Sequence, residues 1–210
     1  MAVLLAAAAN AQARVSQVFP TDDATVSSAY PDTNWWNAGV LLAAYGGAGA
    51  DVRHAYLKFA LPPARPGEMI KNASLQVYSA DPGRAFTHWV NLYHVGSDGW
   101  NEFALTWSTA PAHDAEIIAS RQVRQSHRTD FLIPATVFAA DSDGVLSLAL
   151  GIADESGADK QLAFHSEESW SSPRLTVVYG PYAPIPEPET WATLAAGLGI
   201  LGALRRRPRA

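Results

Sequence analysis

The sequence predicts an all-β fold, an antiparallel β-sandwich, and three observations carry that prediction. Apolar residues alternate with polar ones along the middle of the chain, turn residues punctuate it at short intervals, and no helical period runs beyond a turn or two. Seven Trp, seven Tyr and seven Phe beside 14 Pro and 15 Gly fit aromatic-rich strands joined by many turns better than a bundle of helices. In HAYLKFALP, Leu57, Phe59 and Leu61 fall on one face and Tyr56 and Lys58 on the other. ASLQVYS sets Ala73, Leu75 and Val77 against Ser74, Gln76 and Tyr78. VLSLALGI sets Leu146, Leu148, Leu150 and Ile152 against Ser147, Ala149 and Gly151, and RLTVVY sets Leu175, Val177 and Tyr179 against Arg174 and Thr176. One apolar face per strand is what two antiparallel sheets packed face to face require. Pro62-Pro63, Pro66-Gly67, Asp81-Pro82-Gly83, Ser97-Asp98-Gly99, Asp143-Gly144 and Ser172-Pro173 mark the turns, and residues 135–140 are the best candidate for a short helix.

A chain of 210 residues suits one domain with appendages. Residues 1–13 have an apolar stretch and small residues at Ala11 and Ala13, the back half of a secretory signal peptide without its positive n-region; an Ala-rich helix is the alternative. The strand-rich body occupies 14–180. Residues 181–189 hold four prolines and read as a stiff linker; 190–204 is a hydrophobic segment, expected as a short C-terminal helix, and 205–210 is a basic tail. The uncharged run from Trp191 is shorter than the ~20 residues that span a bilayer as a helix, and the arginines after it favour the cytoplasmic side. Net charge is -5 and the arginine cluster is confined to the end, which excludes nucleic acid as a partner. The absence of Cys removes disulfides, thiolate metal sites and a Cys nucleophile.

Three segments hold candidate chemistry. In TDDATVSSAYPDTNWW, residues 21–36, Asp22, Asp23, Asp32 and Asn34 offer the oxygen ligands that calcium takes; local turn hydrogen bonds are the alternative use of the same side chains. In the second, Trp100 and Trp107 are expected to plug a long loop against the sandwich, with Glu102 and Thr106 satisfying backbone donors. The third, residues 163–175, places Glu168 and Arg174 where they can pair across a turn. A separate stripe, HWVNLYHV, turns Trp89, Asn91 and Tyr93 to one face, an aromatic platform suited to sugar rings if Val90 and Leu92 face the core. Trp35, Trp36 and Trp170 are further loop aromatics that can bind a glycan or simply cover a neighbour. The six His show no zinc-enzyme spacing, and no nucleophile elbow or phosphate loop is present. Carboxylates such as Asp23, Glu102, Glu155 and Glu168 can in principle pair for glycoside hydrolysis, but no spacing singles them out.

Pro186, Glu187 and Pro188, then the apolar run, then Arg205, Arg206 and Arg207, resemble the PEP-CTERM sorting signal. That resemblance implies processing by a membrane-embedded exosortase, transient inner-membrane anchoring, loss of the tail, and delivery to the cell surface or extracellular matrix of a Gram-negative bacterium. The body resembles the DNRLRE-type module, an exported jelly-roll domain classed among carbohydrate-binding modules. The match rests on Asp23, Val26 and Pro31 to Asn34, then Tyr56 to Phe59 and Ala73 to Tyr78, then Trp100 to Trp107, and last Ser166, Glu168 and Pro173 to Leu175. Trp35-Trp36 departs from the aromatic-glycine pair usual there. The module implies no enzyme activity and, for some members, binding of acidic polysaccharide. The expectation is therefore an exported, non-catalytic surface or exopolysaccharide-matrix protein with a glycan as its partner and calcium as the one cofactor considered. A polysaccharide hydrolase or lyase, and a structural surface protein without a ligand, are the alternatives.

Overall fold

The computed structural model describes residues 13–46, 51–80, 87–124, 126–140 and 143–182. The signal-peptide stretch up to residue 12, the Asp81-Pro82-Gly83 turn, the linker from residue 183, the hydrophobic segment and the basic tail lie outside the described residues. In chain order the strands are β1 (Arg14–Val18), β2 (Asp22–Ser27), β3 (Val40–Gly46), β4 (Asp51–Ala60), β5 (Glu68–Tyr78), β6 (Thr87–Val95), β7 (Ile117–Arg124) and β8 (Arg128–Pro134). The helix α1 (Ala135–Ala140) follows, then β9 (Val145–Ile152), β10 (Lys160–His165) and β11 (Arg174–Pro181).

They form the antiparallel sandwich that the alternation predicts. One sheet has the order β1-β11-β5-β8; the other runs β10-β3-β4-β9-β6-β7, with β2 paired to β4 as its seventh strand. Between the sheets, Leu57, Phe59, Val90, Leu92, Leu146, Leu148 and Leu150 meet Leu75, Val77, Phe131, Ile133, Leu175, Val177 and Tyr179, all fully buried. Each large side chain withdrawn from water there contributes about 1.5–3 kcal/mol.

The outer face of the seven-stranded sheet differs from the alternation pattern, which leaves Tyr56, Lys58, Ser147 and Ala149 turned to water. All four are buried. The connection 96–116, between β6 and β7, lies across that face and closes a second apolar cluster of Ala24, Val26, Tyr56, Val95, Trp100, Leu105 and Ala149. Its polar atoms are matched one by one: Trp100 Nε1 donates to Ser147 Oγ at 3.1 Å and Tyr56 OH to the Pro111 carbonyl at 2.8 Å. Lys58 Nζ donates to the Trp100 carbonyl and lies 4.4 Å over the Trp100 ring. Trp100 thus plugs the loop as expected, and half-buried Trp107 packs beside it.

Two of the chain's changes of sheet flank one neighbourhood, through 19–21 from β1 to β2 and through 166–173 from β10 to β11. Those two crossings carry the candidate site.

Candidate functional site

Strand alternation turns the neighbouring aspartates of β2 to opposite faces. Asp22 pairs in register with Lys58 and Asp23 with Leu57. Asp22 therefore meets a cation, its Oδ2 lying 3.3 Å from Lys58 Nζ, while its Oδ1 accepts the Glu102 N–H. Asp23 is fully buried. Its own N–H donates to Glu102 Oε2 at 3.3 Å, and its Oδ2 accepts the Glu167 N–H at 2.7 Å. Carboxylate oxygens of Asp23, Glu102 and Glu168 lie within 4.8 Å of one another. Burial pushes the Asp23 carboxyl up to about 8, with Glu168, Glu167 and Glu102 adding to the rise against the Glu167 N–H bond. Burial, with the charge of Glu102, likewise takes Glu167 up to about 7. An all-oxygen donor set of this kind suits a hard cation.

Beside the carboxylates runs an open groove of about 720 Å³ lined by Phe19, Pro20, Tyr78, residues 167–172 and Arg174. Both crossings wall it. Trp170 is 92% exposed and Phe19 54%, and the Arg174 guanidinium lies 5.4 Å over the Phe19 ring. The volume falls within the ~300–1,000 Å³ usual for ligand clefts. Flat rings with a guanidinium and carboxylates between them can stack on sugar rings and hydrogen-bond their hydroxyls.

Residues 14–179 match the family model described as carbohydrate-binding module family 96. The chain belongs to that family. Residues 184–207 match the PEP-CTERM protein-sorting motif, so both resemblances drawn from the sequence stand. Among the described residues no helix is long and apolar enough to cross a membrane. Solved structures similar to this family 96 module include the N-terminal CBM22-1 and GH10 modules of Clostridium thermocellum xylanase 10B complexed with xylohexaose. The identity there is 12%, over 80% of this chain and 28% of that one, with a TM-score of 0.28. Infectious bursal disease virus, Gx strain, is similar at 14% identity over 80% of this chain and 38% of that one, with a TM-score of 0.23. This chain therefore spans well under half the length of either. No curated protein matches it.

Within the family 96 module, the structure draws the three marked segments together but not all their marked residues. Of the expected calcium set only Asp23 enters the carboxylate cluster. Asp22 is held by Lys58, Asp32 stays on an exposed turn, and Asn34 Nδ2 donates to the carbonyls of Glu102 and Leu105 at 2.6 and 2.7 Å. Asn34 thus fixes the loop that delivers Glu102. Glu168 and Arg174 form no ion pair; Arg174 turns to Phe19 instead. On β6, Val90 and Leu92 face the core and Trp89 is 55% exposed. Asn91 is buried and donates to Tyr93 OH at 2.9 Å, and Tyr93 is stacked on His113 at 4.1 Å, so the 96–116 connection covers most of that platform. Trp35 packs edge-on against Tyr30, and Trp36 against Phe103. Sequence reasoning gave no site role to Phe19, Tyr78 or Glu167. The crossing between β1 and β2 offered the signal for Phe19, an aromatic residue with no strand face to occupy.

Proposed function

We propose that this module holds a polysaccharide chain in the groove of Phe19, Tyr78, Trp170 and Arg174, without chemical conversion, as an exported component of the cell surface or extracellular matrix. The observation that carries the reading is the nearly fully exposed Trp170 on a groove of glycan dimensions in a carbohydrate-binding-module chain. A large ring exposed at a cleft offers a flat face on which a sugar ring can stack. The sorting motif supports export, and in this reading an exosortase processes the tail at the inner membrane of a Gram-negative bacterium. Hydrolysis or lyase chemistry has weaker support. Asp23 is fully buried, and the oxygens of Asp23, Glu102 and Glu168 crowd within 4.8 Å. Glycosidase pairs stand about 5–9.5 Å apart, facing each other across the sugar.

The test is binding of the full chain to a panel of neutral and uronic-acid polysaccharides, with soluble products monitored. Saturable binding without released oligosaccharide is expected, with at least about tenfold weaker affinity for Trp170→Ala. Released oligosaccharide would overturn the non-catalytic reading, and full-strength binding by Trp170→Ala would move the ligand away from this groove.

A further inference from the structure

We infer that Asp23, Glu102 and Glu168 form a binding site for a hard divalent cation, calcium by its chemistry, which ties β2 and the 166–173 crossing to the 96–116 connection. Geometry comes first. Calcium keeps its oxygen ligands at about 2.4 Å, so ligands on opposite sides of one ion stand about 4.8 Å apart. The three carboxylate oxygens lie within 4.8 Å of one another and so fit around a single ion.

Asp23 supplies an independent observation. It is fully buried, and its Oδ1 has no hydrogen-bond partner although the cluster's other carboxylates surround it. A buried carboxylate oxygen with nothing to accept from is costly, and such groups point to a partner of opposite charge. Ser166 Oγ, also buried and one residue before Glu167, has no partner either.

Other acids among the described residues have a cation beside them. Glu68 has Arg14 at 3.0 Å, Asp51 has Arg53 at 2.7 Å, Asp154 has Lys160 at 2.7 Å and Asp22 has Lys58. Among the described residues no Lys, Arg or His pairs with Asp23, Glu102, Glu167 or Glu168. The donors are all oxygen, which argues against zinc and copper. They come from three separate segments, one of them exposed at Glu168, leaving room for waters in the irregular six- to eight-fold shell that calcium accepts and magnesium does not. Glu168 also lines the groove, so the ion would hold one groove wall against β2.

The test is calorimetric titration of the chelator-treated full chain with calcium chloride, and separately with magnesium chloride, alongside thermal melts. A single calcium site is expected. With free calcium a hundredfold above Kd the melting temperature rises by about 5–10 °C, and magnesium gives a smaller rise. Glu168→Gln, at an exposed position, is expected to keep the wild-type circular dichroism while binding calcium at least tenfold more weakly; Asp23→Asn abolishes binding. No calcium heat and no melting shift in the wild type would overturn the site. So would wild-type affinity in a folded Glu168→Gln chain.

Discussion

The two faces of the seven-stranded sheet are buried by different means. On the inner face strands lie against strands, and the contact is made of fully buried aliphatic and aromatic side chains from both sheets. On the outer face the cover is the 96–116 connection, and its hold depends on particular bonds: Trp100 to Ser147, Tyr56 to Pro111, Lys58 to the Trp100 carbonyl. A core of the first kind tolerates any apolar set of about the right volume. A cover of the second kind fails at single atoms, because each buried polar group that loses its partner costs about 1–3 kcal/mol. The lesson is that the same alternating strand can serve an apolar core on one side and a polar-anchored cover on the other.

The largest expected break in this comparison is Trp100→Ala. It empties a large buried volume and takes the indole donor from the Ser147 hydroxyl, which keeps its bond to Asp98, at a cost of about 3–5 kcal/mol in urea unfolding. Limited proteolysis should then cut within 96–116 first; a connection as resistant as wild type would mean that the cover does not depend on Trp100.

Gly151→Ala comes next. A Cβ on Gly151 would stand 3.0 Å from Cδ2 and Nε2 of the His54 ring. The ring must give way, which disturbs its contact with Glu155, 3.3 Å from Nε2, and a loss of about 1–3 kcal/mol is expected. An unchanged urea midpoint would show that this part of the outer face yields like a surface.

The smallest effect sharpens the comparison through pH. Burial holds His54 below its ordinary value, with His113 lowering it further and Glu155 opposing. Above about pH 6.5 neither the folded nor the unfolded chain carries that proton. As pH falls below it the unfolded chain takes the proton up first, so stability drops by at most ~1.4 kcal/mol per unit until the lowered native value is passed. Urea midpoints at about pH 7.5 and about pH 5 should therefore differ less for His54→Gln than for wild type. Equal differences would remove His54 from the account.

The inner face was legible in the sequence because alternation is local. Leu57 and Phe59, or Leu146 and Leu148, declare a buried side within a few residues. The outer cover was not legible from Tyr56, Lys58, Ser147 and Ala149, which look like the wet side of a strand until a segment 42 residues away in sequence is laid over Lys58. The candidate site was legible in the same divided way. Each of the three segments stood out for its composition, yet the bonds that join them run from Asp23 over 79 residues to Glu102 and over 144 to Glu167. Alternation carried one usable hint. Adjacent aspartates on a strand cannot face one ion together, so Asp22 and Asp23 were bound to part company.

The pairing of β1 with β11 sets an orientation. Arg14 lies opposite Tyr179 and Val18 opposite Leu175, so the first strand ends where the last one begins. Phe19 and Arg174 stand at that end of the four-stranded sheet, whereas Tyr182 hydrogen-bonds Gly67 at the other. The eight residues of β11 put about 25 Å between the two. The groove and Tyr182, the last described residue, therefore stand at opposite poles of that sheet.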